Sequence, residues 1–130
     1  MEQENWVSDD EALEAAAWRT ATPLAGVTRG PYFGPGYEVF KVIGKVFMMT
    51  TDVPGRMVVT LKCDPHDALA LRTEFPSIVS GYHMNKRHWI SIGTGAGITE
   101  GLVSELVTNA YLLVVDSLPR RLRPLEPRRP

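Results

Sequence analysis

The stretch Tyr37-Glu38-Val39-Phe40-Lys41-Val42-Ile43-Gly44-Lys45-Val46-Phe47 decides the fold. Val39, Phe40, Val42, Ile43, Val46 and Phe47 are β-branched or aromatic, and such side chains pack well on a pleated, half-buried surface. Gly44-Lys45 interrupts them as a turn, so residues Tyr37 to Thr51 read as a β-hairpin. A second turn follows at Pro54-Gly55. Beyond it Met57, Val59, Leu61 and Cys63 alternate with Arg56, Thr60 and Lys62, the period of a strand with one buried face. Val58 is the apolar exception on the outer face.

Upstream of the hairpin, Gly30 to Gly36 is rich in glycine and proline and carries the aromatics Tyr32 and Phe33. It reads as an irregular loop after a short strand at Val27–Arg29. Ser8-Asp9-Asp10-Glu11 reads as a capping box, with Ser8 as the cap and Glu11 reaching back to its amide. The helix it opens carries Leu13, Ala16, Ala17 and Trp18, and stops near Thr22-Pro23 because proline disfavours helix in the residue before it.

Downstream, Asp64-Pro65 is a helix start, a capping carboxylate followed by proline at the first helical position. The helix carries Ala68, Leu69, Leu71 and Phe75 and ends before Pro76. Ile78 to Tyr82 and His88 to Ile92 are strands joined through a turn at Asn85-Lys86. After the flexible Gly93–Gly97 loop, Thr99 caps a long helix in which Leu102, Val103, Leu106, Val107, Ala110, Leu113 and Val114 recur at helical spacing. Ile98 and Val103 stand at the two positions of a hydrophobic staple. The order is α-β-β-β-β-α-β-β-α. Hairpins joined by short turns imply an antiparallel sheet packed with helices, the α+β class.

Three stretches carry a family resemblance. They are Tyr37 to Phe47, Val59-Thr60-Leu61-Lys62-Cys63-Asp64-Pro65, and Tyr82-His83-Met84-Asn85-Lys86-Arg87-His88-Trp89-Ile90 with the long helix and Leu118-Pro119-Arg120-Arg121-Leu122 after it. In this order and spacing the chain resembles the MmcQ/YjbR family over Leu13 to Leu122. The resemblance implies a CyaY-like fold, a twisted antiparallel sheet with helices, and DNA binding through a double-wing arrangement. The Gly/Pro-rich Gly30–Gly36 segment departs from the longer, tryptophan-bearing strand of other members, as does the acidic N-terminal extension.

The 130 residues suit one domain, with an acidic, disordered N-terminus over residues 1–7, a domain over 8–119 and a basic tail over 120–130. The net charge of −1 names no partner by itself. Its distribution is uneven, with acidic residues before Arg19 and five arginines from Arg120 onward. A single cysteine, Cys63, excludes an intramolecular disulfide and a cysteine metal cluster, and fits a cytoplasmic protein. No apolar run reaches the roughly 20 residues of a membrane span. His66, His83 and His88 match no zinc spacing, and no nucleophile, phosphate-loop or paired-carboxylate motif is present, so no cofactor, metal or catalytic residue is expected.

Two groups remain as nucleic-acid candidates. Lys86-Arg87-His88-Trp89 places two cations beside an aromatic, with Lys86 and His88 facing one way along a strand and Arg87 and Trp89 the other. The alternative is a core Trp89 with Arg87 lying over it. Lys45 at the hairpin tip, with Lys41 and Lys62 on one sheet face, forms the second group; the alternative is that these lysines blunt sheet edges and keep faces soluble. The reading is a monomeric, non-enzymatic protein that contacts duplex DNA non-specifically through phosphates, the alternative being a protein-interaction module. Neither reading involves a membrane.

Overall fold

The computed structural model describes residues 6–124. Six strands form one antiparallel sheet in the order β1-β2-β3-β4-β6-β5. They are β1 (Val27–Gly30), β2 (Tyr37–Val42), β3 (Lys45–Thr51), β4 (Val58–Lys62), β5 (Ile78–Ser80) and β6 (Trp89–Ile92). Three helices, α1 (Asp10–Ala21), α2 (Pro65–Glu74) and α3 (Glu100–Ser117), enter in the order read from the sequence. None of them is long and apolar enough to cross a membrane.

Register assigns each strand residue to a face. Phe40 pairs with Met48, Met48 with Leu61, Leu61 with Ile90. These side chains and their i±2 neighbours Val42, Val59, Cys63 and Ile92 form one core with Leu13, Ala16 and Ala17 of α1, Ala68 of α2 and Val103, Val107 and Tyr111 of α3. All three helices therefore lie on the same face of the sheet. Lys41, Met49, Val58, Thr60, Lys62, Trp89 and Ser91 point to the other, second face, by the same register.

That second face is not the solvated surface the alternation predicts. Val39, Met49, Val58 and Trp89 are buried on it, as are Thr60 and Ser91, whose hydroxyls share a 2.7 Å hydrogen bond. The exception noted at Val58 thus belongs to a second apolar layer. The segment after β5 covers it: the Tyr82 amide donates to Ser91 Oγ at 2.8 Å.

Local corrections have local causes. Asp9, not Ser8, caps α1, its carboxylate accepting from the Ala12 amide at 2.8 Å; a carboxylate one residue on suits the helix dipole as well as the amide. The hairpin turn is Ile43-Gly44, not Gly44-Lys45, with Val42 paired to Lys45. Both turn residues have positive φ, 48° and 81°, the pattern of a two-residue I′ turn. A register shift between Phe40 and Lys41 puts Phe47 as an extra residue into β3 and sets this phase. α2 turns only Ala68 fully into the core and leaves Leu69 exposed. Asp64 caps α2 and Thr99 caps α3 through their side chains, with Ile98 and Val103 both fully buried.

At the N-terminus, residues 1–5 of the expected disordered stretch lie outside the described residues. Trp6 bridges to Thr99, and the buried Val7 donates to the Ile98 carbonyl, so these two belong with the domain. At the other end Arg120–Leu122 forms a short 3-10 turn, and Arg123 donates to the carbonyls of Leu118 and Asp116. The first tail residues therefore close the C-terminus of α3, whose last carbonyls need donors. Residues 125–130, with Arg128 and Arg129, lie outside the described residues.

Candidate nucleic-acid interface

The sheet separates its charges. Among its strand residues the one carboxylate is Glu38, and it lies on the helix face, where Arg29 approaches it at 3.6 Å and also stacks 4.4 Å from the Trp18 ring. The strand residues that register assigns to the second face include Lys41 and Lys62 and no acid.

Both lysines sit on aromatic rings. Lys41 Nζ is 4.0 Å from the Tyr32 ring centroid, and Lys62 Nζ is 5.3 Å from that of Trp89. An ammonium held over a ring keeps part of its freedom to meet an anion while its stem stays packed. Neither lysine guards an edge, because β2 and β4 are interior strands and the edges are β1 and β5. Neither therefore serves to blunt an edge.

Register also gathers the cations at one end of the sheet. Lys41 lies one residue before the β2 end, Lys45 opens β3, and Lys62 closes β4 opposite Trp89. The loop bearing Lys86 and Arg87 enters β6 beside Lys62, since the Cys63 amide donates to the His88 carbonyl at 2.8 Å. Lys45, Lys86 and Arg87 are exposed and His88 is half-buried.

Residues 86–88 are a turn rather than strand, so the expected alternation of their side chains does not apply. The cause is Asn85, whose side-chain oxygen accepts from the amides of Arg87 and His88 at 2.8 and 3.2 Å and holds a local turn. Trp89 is buried, and the cation over it is Lys62, not Arg87.

Three rings form a row on the same face. His83 lies 4.1 Å from Tyr82 and 6.5 Å from Tyr37, centroid to centroid. The pKa of the Tyr82 hydroxyl is raised above the ordinary tyrosine value by desolvation first and then by the neighbouring Tyr37. Tyr37 stands on β2, and Tyr82 follows β5, so their contact reaches over the strands between. His83 holds a φ of 62°, unusual for a residue with a β-carbon. Gly81 before it admits the close approach of this segment: a β-carbon there would meet Trp89 Cβ at 2.5 Å. No local pattern announces this row, because neither the backbone of His83 nor its partner on a distant strand has a signature in neighbouring residues.

Elsewhere, a cleft of about 270 Å³ lies between α2, α3 and the end of β4, lined in part by Cys63, Asp64, Asp67, Leu71 and Asn109. Burial, with Asp67 and Asp64 adding, pushes the Cys63 thiol up to about 11, against a weaker opposing effect of Arg72. It is a buried apolar group, not a nucleophile. Asp10 in the first turn of α1 accepts from the Met57 amide at 3.0 Å and holds the chain entering β4. Among the described residues no three His, Cys, Asp or Glu side chains group to hold a metal.

Comparison with known proteins places this architecture. The chain is 42% identical over 113 residues to YbdF of Escherichia coli O157:H7, covering 87% of this chain and 93% of that protein. It is 31% identical over 85 residues to YjbR of Escherichia coli K12, covering 65% and 72%. Neither name carries an activity. The crystal structure of Deinococcus radiodurans protein DR2400, described as a DUF419 domain, superposes with a TM-score of 0.76 at 26% identity, covering 93% of this chain and 89% of that one. A Pseudomonas syringae protein shares the fold with a TM-score of 0.62 at 22% identity, over 77% and 95%. The family model YjbR matches residues 22–113, from the end of α1 into α3 and through the whole sheet, and the chain belongs to the YjbR family.

Proposed function

We propose that this protein binds nucleic acid through the second face of its sheet, where Lys41 and Lys62 neutralise phosphates, assisted at the same end of the sheet by Lys45 of the hairpin tip and by Lys86 and Arg87 of the loop before β6. The observation that carries the reading is the separation of charge. Two interior-strand lysines, each seated on an aromatic ring, share a face whose strand residues include no carboxylate. Phosphate contacts supply most sequence-independent affinity, and each neutralised phosphate releases counterions. With a net charge of −1, attraction comes from this face and not from the molecule as a whole, so binding is modest and salt-sensitive.

The test is fluorescence anisotropy with labelled random-sequence oligonucleotides at about 50 and about 200 mM salt, with wild type and a Lys41→Glu, Lys62→Glu double variant. A steep loss of affinity with salt, and its near-abolition in the variant, is the expected result. Unchanged binding in the variant moves the contacts to the arginines after Leu118. Absence of binding at the lower salt removes the nucleic-acid reading and leaves the face as a surface for a protein partner.

A further inference from the structure

We infer that the nucleic acid this face takes is single-stranded, with unpaired bases stacked on the ring row of His83, Tyr82 and Tyr37. The inference rests on the phosphate-binding reading above and names its substrate class. In a duplex the base faces are already stacked on one another, so flat rings on a protein surface gain nothing from them. Unpaired bases expose those faces, and proteins that hold them combine a cationic track with aromatic platforms. Both parts occur together here. Lys41 and Lys62 lie on the same sheet face as Tyr37, which stands at the other end of β2, so the face runs from the cations to the rings, where the exposed His83 is in tilted contact with the half-buried Tyr82 and Tyr37.

Helices offer no competing duplex reader. α1, α2 and α3 all pack on the opposite face, so whatever contacts the lysines of the second face meets strands and loops. The backbone points the same way. His83 sits at φ 62°, a region that favours glycine, yet it carries a ring directed onto Tyr82 at 4.1 Å. Strained residues of this kind concentrate at binding sites, where the surrounding structure holds them in place. A purely structural loop would fold more easily with glycine there.

His83→Gly therefore separates the roles. It removes the ring and relieves the backbone, so the melting temperature should hold or rise. Affinity for a fluorescein-labelled oligothymidine of about 12 nucleotides should fall at least about fivefold, the loss expected of one stacked base. Binding of the wild type to a hairpin duplex of the same length should be at least about tenfold weaker than to the single strand, and should not change in the variant. His83→Tyr, which keeps a ring, should retain single-strand binding. Equal or tighter binding of the duplex, or an unchanged single-strand affinity in His83→Gly, overturns the inference while leaving the phosphate reading in place. Failure of the wild type to bind either probe overturns both.

Discussion

The Tyr111 hydroxyl donates to the Ala25 carbonyl at 2.6 Å, joining α3 to the turn that leads into β1 across 86 positions of sequence. Its ring packs edge-on against Phe47, 5.6 Å between centroids, so a single buried side chain ties the edge of the sheet to the helix layer. Tyr111→Phe keeps the ring and leaves the Ala25 carbonyl without this donor. The variant should lose about 1–2 kcal/mol in urea unfolding, with no change in the slope of the transition.

Ile43 is the opposite case, a β-branched side chain at φ 48° in the first position of the hairpin turn. Asparagine tolerates that conformation far better, and Asn-Gly is the preferred pair for the two-residue turn seen here. Ile43→Asn should stabilise the protein by about 0.5–1 kcal/mol, reduced by whatever packing the half-exposed isoleucine supplies. A lower urea midpoint would mean that the side chain contributes more than the backbone loses.

Cys63 should be silent to thiol reagents in the native state. Its folded pKa, pushed up to about 11 by burial, lies above the 9.0 of a free thiol, so the folded form binds its proton more tightly than the unfolded one. Stability is unaffected below the unfolded pKa and falls as pH rises through that window, because only the unfolded thiol ionises there. Reaction with a disulfide reagent at pH 8 should be slow in buffer and fast in denaturant. Cys63→Ala should flatten the alkaline loss of stability measured between pH 9 and 11.

Glu14 is raised above the ordinary carboxylate pKa by burial first, then by Asp52, Glu38 and Glu11. The folded state therefore prefers its protonated form, and its contribution is lost as pH rises through the unfolded value of 4.5 toward the folded one. Glu14→Gln should raise the free energy of urea unfolding at pH 7 by about a few tenths of a kcal/mol, the scale of an exposed charge interaction, and change little below pH 4. Equal effects at both pH values would point to packing rather than charge.

The Lys62–Trp89 pair makes a test independent of any nucleic acid. Lys62→Met preserves the stem that lies along the ring and removes the ammonium. Stability should fall by no more than about 1 kcal/mol, the scale of a partly exposed cation–π contact. A larger loss would show that the charge, and not the stem, holds Trp89 in place.

Local chemistry was enough to read α2 and α3, the hairpin and the class of the fold. Asp64-Pro65 and Thr99 each announce a helix start within three residues, and the side chains that recur through α3 describe one buried stripe. The same reasoning missed by one residue where two neighbours could do the same work, as at Ser8 and Asp9, and where the β3 bulge shifted the turn onto Ile43. Lys41 and Lys62 were assigned to one face correctly because alternation along a strand is a property of the backbone.

What the sequence by itself determined was the set of elements, their order and the parity of β4, since helix caps, periodicity and turns act over a few residues. Only the tertiary structure decided what each face of the sheet meets. Thr60 and Ser91 look like solvent-facing residues in sequence, yet they are buried because Tyr82, arriving from the far side of the sheet, folds over them and reaches Tyr37. Closure of that kind is set by which distant groups find one another and leave no buried polar atom without a partner, a long-range condition that no local pattern carries.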